Sequence, residues 1–489
     1  MSDKPAIAWT IAGSDYGGGA GIQADLHTFR DFGVHGCSVI TALTAQNSQT
    51  VTHVAVTPID NLRAQLAALA DDLPAPALKL GMLGDAEVVA AVCDFLQRYD
   101  GHVVCDPVMV STTGASLLDG AGGKLLREKL LPRATVITPN LAEASALLGR
   151  TVETAEQMEQ AARDLIALGA RSVLVKGGHL QGRFSGDYWS DGRDGFWLTG
   201  ERIDTAHTHG TGCTLAAAIA ACLARGFELA DALVLAKMYV TAGLRAAVQI
   251  GAGPGPVAHT GYPSHLADLP MLRRQHAVSA EPFPDCGGEL GLYPVLPTAE
   301  WIERVLPLGV KTVQLRSKNL SPDQTEAEIV RAIAAARRHG ARLFINDHWQ
   351  LAIKHGAYGV HLGQEDLDSA DVEAIRRAGL RLGVSTHAWY EIARAHALRP
   401  SYIAIGPIYP TTTKVMRFSQ QGLEKLQEWV RLLRPHYAMT AIGGISRERL
   451  PQVLATGVGS VALVTAITEA PDWRAATCDL LQLHASFVG

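Results

Sequence analysis

The sequence lacks what would place it outside the cell or on a polyanion. Its 489 residues hold seven cysteines, Cys37, Cys93, Cys105, Cys213, Cys222, Cys286 and Cys478. They are odd in number, scattered and never spaced Cys-x-x-Cys, which argues against a disulfide framework or zinc site and for a reducing compartment. The opening MSDKPAIAWT has no basic-then-apolar order, so no signal peptide is expected. The most apolar stretch, Leu215 to Ala224, is ten residues long, too short to span a bilayer. A cytoplasmic protein is expected. An excess of one charge is missing too: 43 basic against 48 acidic side chains leave −5, no footprint for nucleic acid or an anionic membrane. A Walker-type G-x-x-x-x-G-K-[ST] loop is also absent.

What is present describes a soluble globular chain. Apolar residues make up 47% and charged ones 19%, a balance that excludes disorder. The length exceeds what one core usually supports, so two or three domains are expected. Short β-branched runs (AIAWTIAGS, HVVCDPVM, ATVITPN, RSVLVKGG) alternate with Ala/Leu-rich segments such as EQMEQAARDLIALG and TLAAAIAACLARG. That alternation predicts an α/β domain with a mainly parallel sheet.

The rhythm breaks between Gly251 and Gly291. This stretch reads as a domain end plus linker, the alternative being one long loop within a domain. The expected division is 1–265, a linker over 266–289, and 290–489. After the break, strands are expected at 292–296, 311–316, 341–346, 359–363, 380–385, 401–406, 437–444 and 460–465. Eight βα units of this size predict a compact (β/α)8 TIM barrel.

In the first half, His209-Gly210-Thr211-Gly212-Cys213-Thr214 precedes an apolar helix. Such a turn can collect backbone N–H groups around an anion, although the same residues would serve as a plain helix cap. Cys213 in the first helical turn is expected to have a lowered thiol pKa and to act as a base. The glycine run from Gly13 to Gly21 follows the first strand and lets the backbone approach a substrate. Asp106, Asn140, Glu143 and Lys176 lie at strand ends, where open α/β sheets bind ligands, and suit phosphates and Mg²⁺.

These motifs carry a resemblance. AGSDYGGGAGIQAD, TALTAQNS, KLGML, CDPVM, TPNLAEA, VKGGH and HTHGTGCTLAAAIAA resemble hydroxymethylpyrimidine/phosphomethylpyrimidine kinases, ribokinase-like enzymes. The resemblance implies two MgATP-dependent phosphorylations of 4-amino-5-hydroxymethyl-2-methylpyrimidine. It also implies that Gln46, Asp25, Gly13 and Met82 contact the pyrimidine. Gly210 and Gly212 would form the anion hole, Cys213 would be the base, and Lys176, Asp106, Asn140 and Glu143 would serve the nucleotide and its metal. His207 stands where the family more often has asparagine.

In the second half, the strand ends carry Gln314, Arg316 and Lys318, then Asn346 and Asp347, then His361 and Asp366, then Ser385, then Thr411 to Lys414. Gly443-Gly444 and Val464-Thr465 end the last two strands. Two carboxylates, Asp347 and Asp366, on one barrel face suit Mg²⁺ beside a diphosphate, and the last two strand ends suit a monophosphate. Helix-cap roles remain the alternative for the aspartates. QLRSK, NDHWQLA, GVHLGQED, GPIYPTTTK and AIGGI resemble thiamine-phosphate synthases. That resemblance implies a pyrimidine-diphosphate site of Gln314, Arg316, Lys318, Asn346, Ser385 and Lys414. It implies Mg²⁺ on Asp347 and Asp366, and thiazole phosphate on Thr411, Thr413, Gly444, Val464 and Thr465. His361 and His387 read as packing or hydrogen-bonding residues.

The whole reads as a bifunctional enzyme of thiamine biosynthesis, using ATP and Mg²⁺ on small-molecule substrates and assembling as a homo-oligomer. The rivals are a kinase with a non-catalytic barrel, and a pyridoxal-type kinase with an unrelated barrel.

Overall fold

Strands that are apolar on both faces need helices on both faces, and the first half supplies them. The computed structural model describes residues 4–109, 118, 120–178, 180–276, 281–410 and 420–488. These form two units divided between Val278 and Ser279.

The first unit holds a ten-stranded sheet. Its strands are β1 (Ile7–Asp15), β2 (His35–Gln46), β3 (Val51–Val56), β4 (Ala77–Leu80), β5 (His102–Cys105), β6 (Val136–Ile137), β7 (Val173–Lys176), β8 (Phe184–Ser190), β9 (Gly195–Glu201) and β10 (Met271–Arg273). They run in the order β10-β9-β8-β7-β6-β5-β4-β1-β2-β3. The block from β2 to β7 is parallel. β3 closes one edge, and β8 to β10 extend the other, as antiparallel strands.

The apolar run after the glycine turn forms the helix Thr211–Ala224, buried from Thr214 onward. Its alanines let it pack closely on β1, β4 and β5 and on the helices Gly21–Asp31 and Leu229–Ala246. It is therefore a core helix. Among the described residues, no helix is long and apolar enough to cross a membrane.

In the second unit, eight strands close in sequence order into a parallel barrel. They are β11 (Leu292–Leu296), β12 (Thr312–Leu315), β13 (Arg342–Asn346), β14 (Gly359–Leu362), β15 (Arg381–Thr386), β16 (Tyr402–Ile405), β17 (Ala438–Ile442) and β18 (Ser460–Leu463). Each expected strand appears within a residue or two of its place. Tyr293, Val295, Phe344, Tyr402, Ala404 and Ala462 pack one end of the core.

The stretch 266–289, expected as linker, carries structure at both ends. β10 joins the first sheet beside β9. Phe283 and Cys286 are buried in the second unit, and Arg342 donates to the carbonyls of Cys286, Glu289 and Leu290. Backbone carbonyls gathered by one guanidinium leave no periodic signal in the sequence. That is why this segment read as a linker.

Candidate functional sites

In the first unit the two glycine segments meet face to face. Gly210 has φ +78°, and a Cβ there would lie 1.9 Å from the Gly19 carbonyl oxygen; a Cβ on Gly19 would lie 2.5 Å from the His209 ring. Only glycine allows this approach. Asp15 fixes the first loop, accepting from the Gly17 and Ala20 amides, and its Oδ2 lies 3.0 Å from His209 Nε2. Burial opposes the Asp15 charge, but the His209 contact and the two amides together hold its carboxyl below the usual range.

Gly212 lies against the polar groups of the neighbouring strand ends. A Cβ there would sit 3.0 Å from Lys176 Nζ and 3.2 Å from Asp106 Oδ2. Lys176 donates to Asp106 at 2.6 Å and lies 3.9 Å from Glu143. Burial disfavours its ammonium, yet the Asp106 and Glu143 carboxylates raise its pKa to about 12. Burial lifts Glu143 to about 7 against the pull of Lys176. Asn140 and Glu143 also form a reciprocal capping box on the helix Leu141–Leu148, so part of their polar capacity serves the helix end.

Cys213 lies in the first turn of its helix, as expected, but its thiol is not acidified. Desolvation pushes it up to about 11, with Asp25 and Asp106 adding to the rise. Lys79 and the Gly21 amide pull the other way and are outweighed. The expected lowering from the helix start therefore gives way to burial.

Asp25 is fully buried, accepting from Lys79 at 2.7 Å and Thr10 at 2.5 Å. Gly13 lies close to Met82, since a Cβ there would stand 3.0 Å from the Met82 sulfur. Gln46 reaches His209, with 3.4 Å between side-chain nitrogens. His207 accepts from the Gly255 amide at 3.0 Å, so it anchors a neighbouring turn. His209, Asp15 and Lys79 join this cluster; each lies inside a quoted motif but was not singled out from the sequence.

In the barrel, Gln314, Asn346 and Ser385 lie on β12, β13 and β15, with Arg316 and Lys318 just beyond β12. Asp347 is exposed after β13 with φ +64°, its amide bonded to the His361 carbonyl across the neighbouring strand end. Asp366 follows β14 and accepts from Gly363 at 3.1 Å. Among the described residues, no three His, Cys, Asp or Glu cluster as a ready metal cage. An ion at Asp347 and Asp366 would complete its shell with phosphate oxygens and water, and the donor set fits Mg²⁺ on those terms.

Gly444 has φ +65°, and a Cβ there would meet the Pro410 carbonyl at 2.4 Å, so the β17 end lies directly on the strand-six loop. Val464 precedes the helix Thr465–Thr468. Thr411, Thr413 and Lys414 lie outside the described residues. His361 is buried in a hydrogen-bonded chain with Tyr402 and Ser385. His387 bonds Glu391 through its amide and its ring.

Two family models match the chain: phosphomethylpyrimidine kinase over residues 15–258 and thiamine monophosphate synthase over residues 292–467. The chain belongs to both families. It is a kinase domain fused to a synthase domain, transferases on the route to thiamine. The synthase unit is 58% identical to the thiamine-phosphate synthase of Pectobacterium atrosepticum over 202 residues, 41% of this chain and 95% of that protein. For the thiamine-phosphate synthase of Photorhabdus laumondii the identity is 61% over 202 residues, covering 41% and 93%. The kinase unit is similar to an ADP complex of Bacillus subtilis pyridoxal kinase, with 39% identity, TM-score 0.50 and coverage of 52% of this chain and 98% of that one. It is also similar to Staphylococcus aureus pyridoxal kinase bound to AMP-PCP and pyridoxal, with 32% identity, TM-score 0.51 and coverage of 55% and 98%. A barrel unrelated to thiamine chemistry is thereby excluded.

Proposed function

We propose that the kinase unit phosphorylates 4-amino-5-hydroxymethyl-2-methylpyrimidine twice with ATP, and that the synthase unit couples the diphosphate to thiazole phosphate. The observation that carries the kinase half is the closeness of Gly212, one residue before Cys213, to Lys176 and Asp106, which a Cβ there would meet at 3.0 Å and 3.2 Å. An anion hole, a cation and a base then converge on one transferring phosphoryl group. In the first transfer the substrate hydroxyl attacks the terminal phosphorus of ATP, ADP leaves, and Cys213 takes the hydroxyl proton. In the second the acceptor is already a phosphate anion and needs no base. Gln46, Gly13 and Met82 hold the pyrimidine. Lys176 meets the transferring phosphate, and Asp106, Asn140 and Glu143 would hold Mg²⁺, which would offset charge on the nucleotide phosphates.

In the barrel, Gln314, Arg316, Lys318, Asn346, Ser385 and Lys414 bind the pyrimidine diphosphate. Gly444, Val464, Thr465, Thr411 and Thr413 bind the thiazole phosphate. Mg²⁺ on Asp347 and Asp366 would neutralise charge on the diphosphate. Arg316, Lys318 and Lys414 stabilise the departing pyrophosphate as the carbon–oxygen bond breaks. The electron-rich aminopyrimidine carries the resulting cation until the thiazole nitrogen attacks. No protein nucleophile is needed.

One mass-spectrometric assay tests the proposal. The purified chain receives hydroxymethylpyrimidine, thiazole phosphate, ATP and Mg²⁺. Thiamine phosphate should form, and with Asp347→Ala the pyrimidine diphosphate should accumulate instead. Accumulation in the wild type would leave a kinase with a silent barrel. No phosphorylated pyrimidine would sink the kinase half. Likeness to the pyridoxal kinases supports a second reading, pyridoxal as acceptor, and competition between the two acceptors decides it.

A further inference from the structure

A chain of hydrogen bonds crosses the barrel interior between two of the residues assigned to the pyrimidine. Gln314 Nε2 donates to the Tyr293 hydroxyl at 3.0 Å. The Tyr293 and Tyr402 hydroxyls lie 2.8 Å apart. Tyr402 OH lies 2.7 Å from His361 Nδ1, and His361 Nε2 lies 2.8 Å from Ser385 Oγ. Gln314, Tyr293, Tyr402 and His361 are all buried, and both ring nitrogens of His361 face hydroxyl oxygens.

Each hydroxyl has one proton and a neutral imidazole has one N–H. An unused donor in this buried space would carry the full cost of desolvation. With Tyr293 accepting from Gln314, its own proton must go to Tyr402. Tyr402 must then donate to His361 Nδ1, which places the ring proton on Nε2 and directs it to Ser385. The Ser385 proton is left to point elsewhere. The amide oxygen of Gln314 is left as an acceptor and the Ser385 hydroxyl as a donor, and neither can reverse unless every link reverses.

We propose that Tyr293, Tyr402 and His361 form a fixed-polarity relay that presents the substrate with an acceptor at Gln314 and a donor at Ser385, selecting a 4-aminopyrimidine over its 4-oxo counterpart. The inference rests on the synthase reading above. An exocyclic amine and its neighbouring ring nitrogen offer a donor and an acceptor, the complement of this pair. The 4-oxo ring, with its carbonyl and ring N–H, offers the reverse pattern. It must leave both contacts unmade or turn the whole chain over. The relay residues are positioning residues: they act through Gln314 and Ser385.

The test uses the full chain, comparing the KM for aminopyrimidine diphosphate with the inhibition constant of the 4-oxo diphosphate analogue. A site that pairs polar groups in this way rejects the mismatch on the order of 10²-fold or more. Tyr402→Phe and His361→Leu cut the relay and should bring the two constants within about fivefold, with the KM for thiazole phosphate unmoved. His361→Gln, which keeps one donor and one acceptor, should retain discrimination. Tyr358→Phe serves as the packing control, since its ring meets Phe344 but its hydroxyl bonds the Cys286 carbonyl outside the relay. An unchanged ratio in both relay-cutting variants would overturn the inference, as would an equal change in Tyr358→Phe. If Tyr402→Phe fails to fold, the His361 pair decides. A wild-type chain that makes no thiamine phosphate would overturn the synthase reading and the relay with it, whereas normal turnover with an unmoved ratio removes the relay alone.

Discussion

Lys79 Nζ donates to Asp25 Oδ2 at 2.7 Å, and neither side chain has any exposed surface. Thr10 donates to the same oxygen, leaving Asp25 Oδ1 without a partner. Burial works against the ammonium, but Asp25, Cys213 and Asp106 raise the Lys79 pKa well above its ordinary value. Burial also pushes the Asp25 carboxyl up, against the pull of Lys79 and Thr10, but the 2.7 Å contact with the raised Lys79 keeps the two together as a buried ion pair. Lys79→Met leaves an uncompensated buried carboxylate and should cost the kinase unit about 3–5 kcal/mol. Replacing both partners, as Lys79→Met with Asp25→Leu, should cost clearly less. Urea-dependent hydrogen exchange of β1 and β4 in the full chain measures both, and equal loss would show that the charges are not coupled.

A thiol pushed up to about 11 is protonated at neutral pH. If Cys213 accepts the hydroxyl proton as thiolate, the first transfer should accelerate as pH rises through 7 to 9, because the thiolate fraction grows tenfold per unit below the pKa. Cys213→Ala should slow this transfer by roughly 10²-fold and flatten its pH profile. The second transfer should fall far less. Rapid-quench mass spectrometry resolves the two steps, and equal loss in both would remove Cys213 from the base role.

Lys176 should behave differently. Its ammonium lies beside Asp106 and Gly212, where the proposed mechanism puts the moving phosphate in both transfers. Lys176→Met should depress both steps together, by about 10²-fold, the scale of losing one electrostatic contact in a transition state. A loss confined to one step would mean that the two acceptors place their phosphates differently.

The contrast between these residues tells how far the sequence could be read. The eight barrel strands were legible because each is a short buried run followed by a turn, a pattern that is local. The strand-end positions of Asp347 and Asp366 followed from that register, and Lys176 closes a similar buried run, β7, in the first unit. The pairing of Asp25 with Lys79 was not legible, because the two are 54 residues apart and a buried ion pair leaves no periodic trace. The Cys213 shift was misjudged because helix position is local, whereas desolvation depends on everything packed around it. His361, read as a packing or hydrogen-bonding residue, does both, stacking on Tyr402 and bonding its hydroxyl and that of Ser385. Its partners Tyr402 and Ser385 come from separate strands, so the direction of the chain they form could not be seen.

Gly210 offers a test confined to one unit. Its φ of +78° lies in the left-handed region, and a Cβ would stand 1.9 Å from the Gly19 carbonyl oxygen, well inside contact distance. Backbone strain alone costs about 1–2 kcal/mol, and the two loops must also part to admit the methyl group. Gly210→Ala should therefore open the anion hole and pull Asp15 away from His209, which contacts it at 3.0 Å. Both phosphoryl transfers should fall by at least about 10²-fold, given what one lost oxyanion-type contact costs. The barrel carries its own strands, core and site residues, so the same variant supplied with pyrimidine diphosphate and thiazole phosphate should make thiamine phosphate at the wild-type rate. Retained kinase activity would mean that the glycine turn does not hold the transferring phosphate. Loss of the synthase reaction as well would mean that the two units do not act independently.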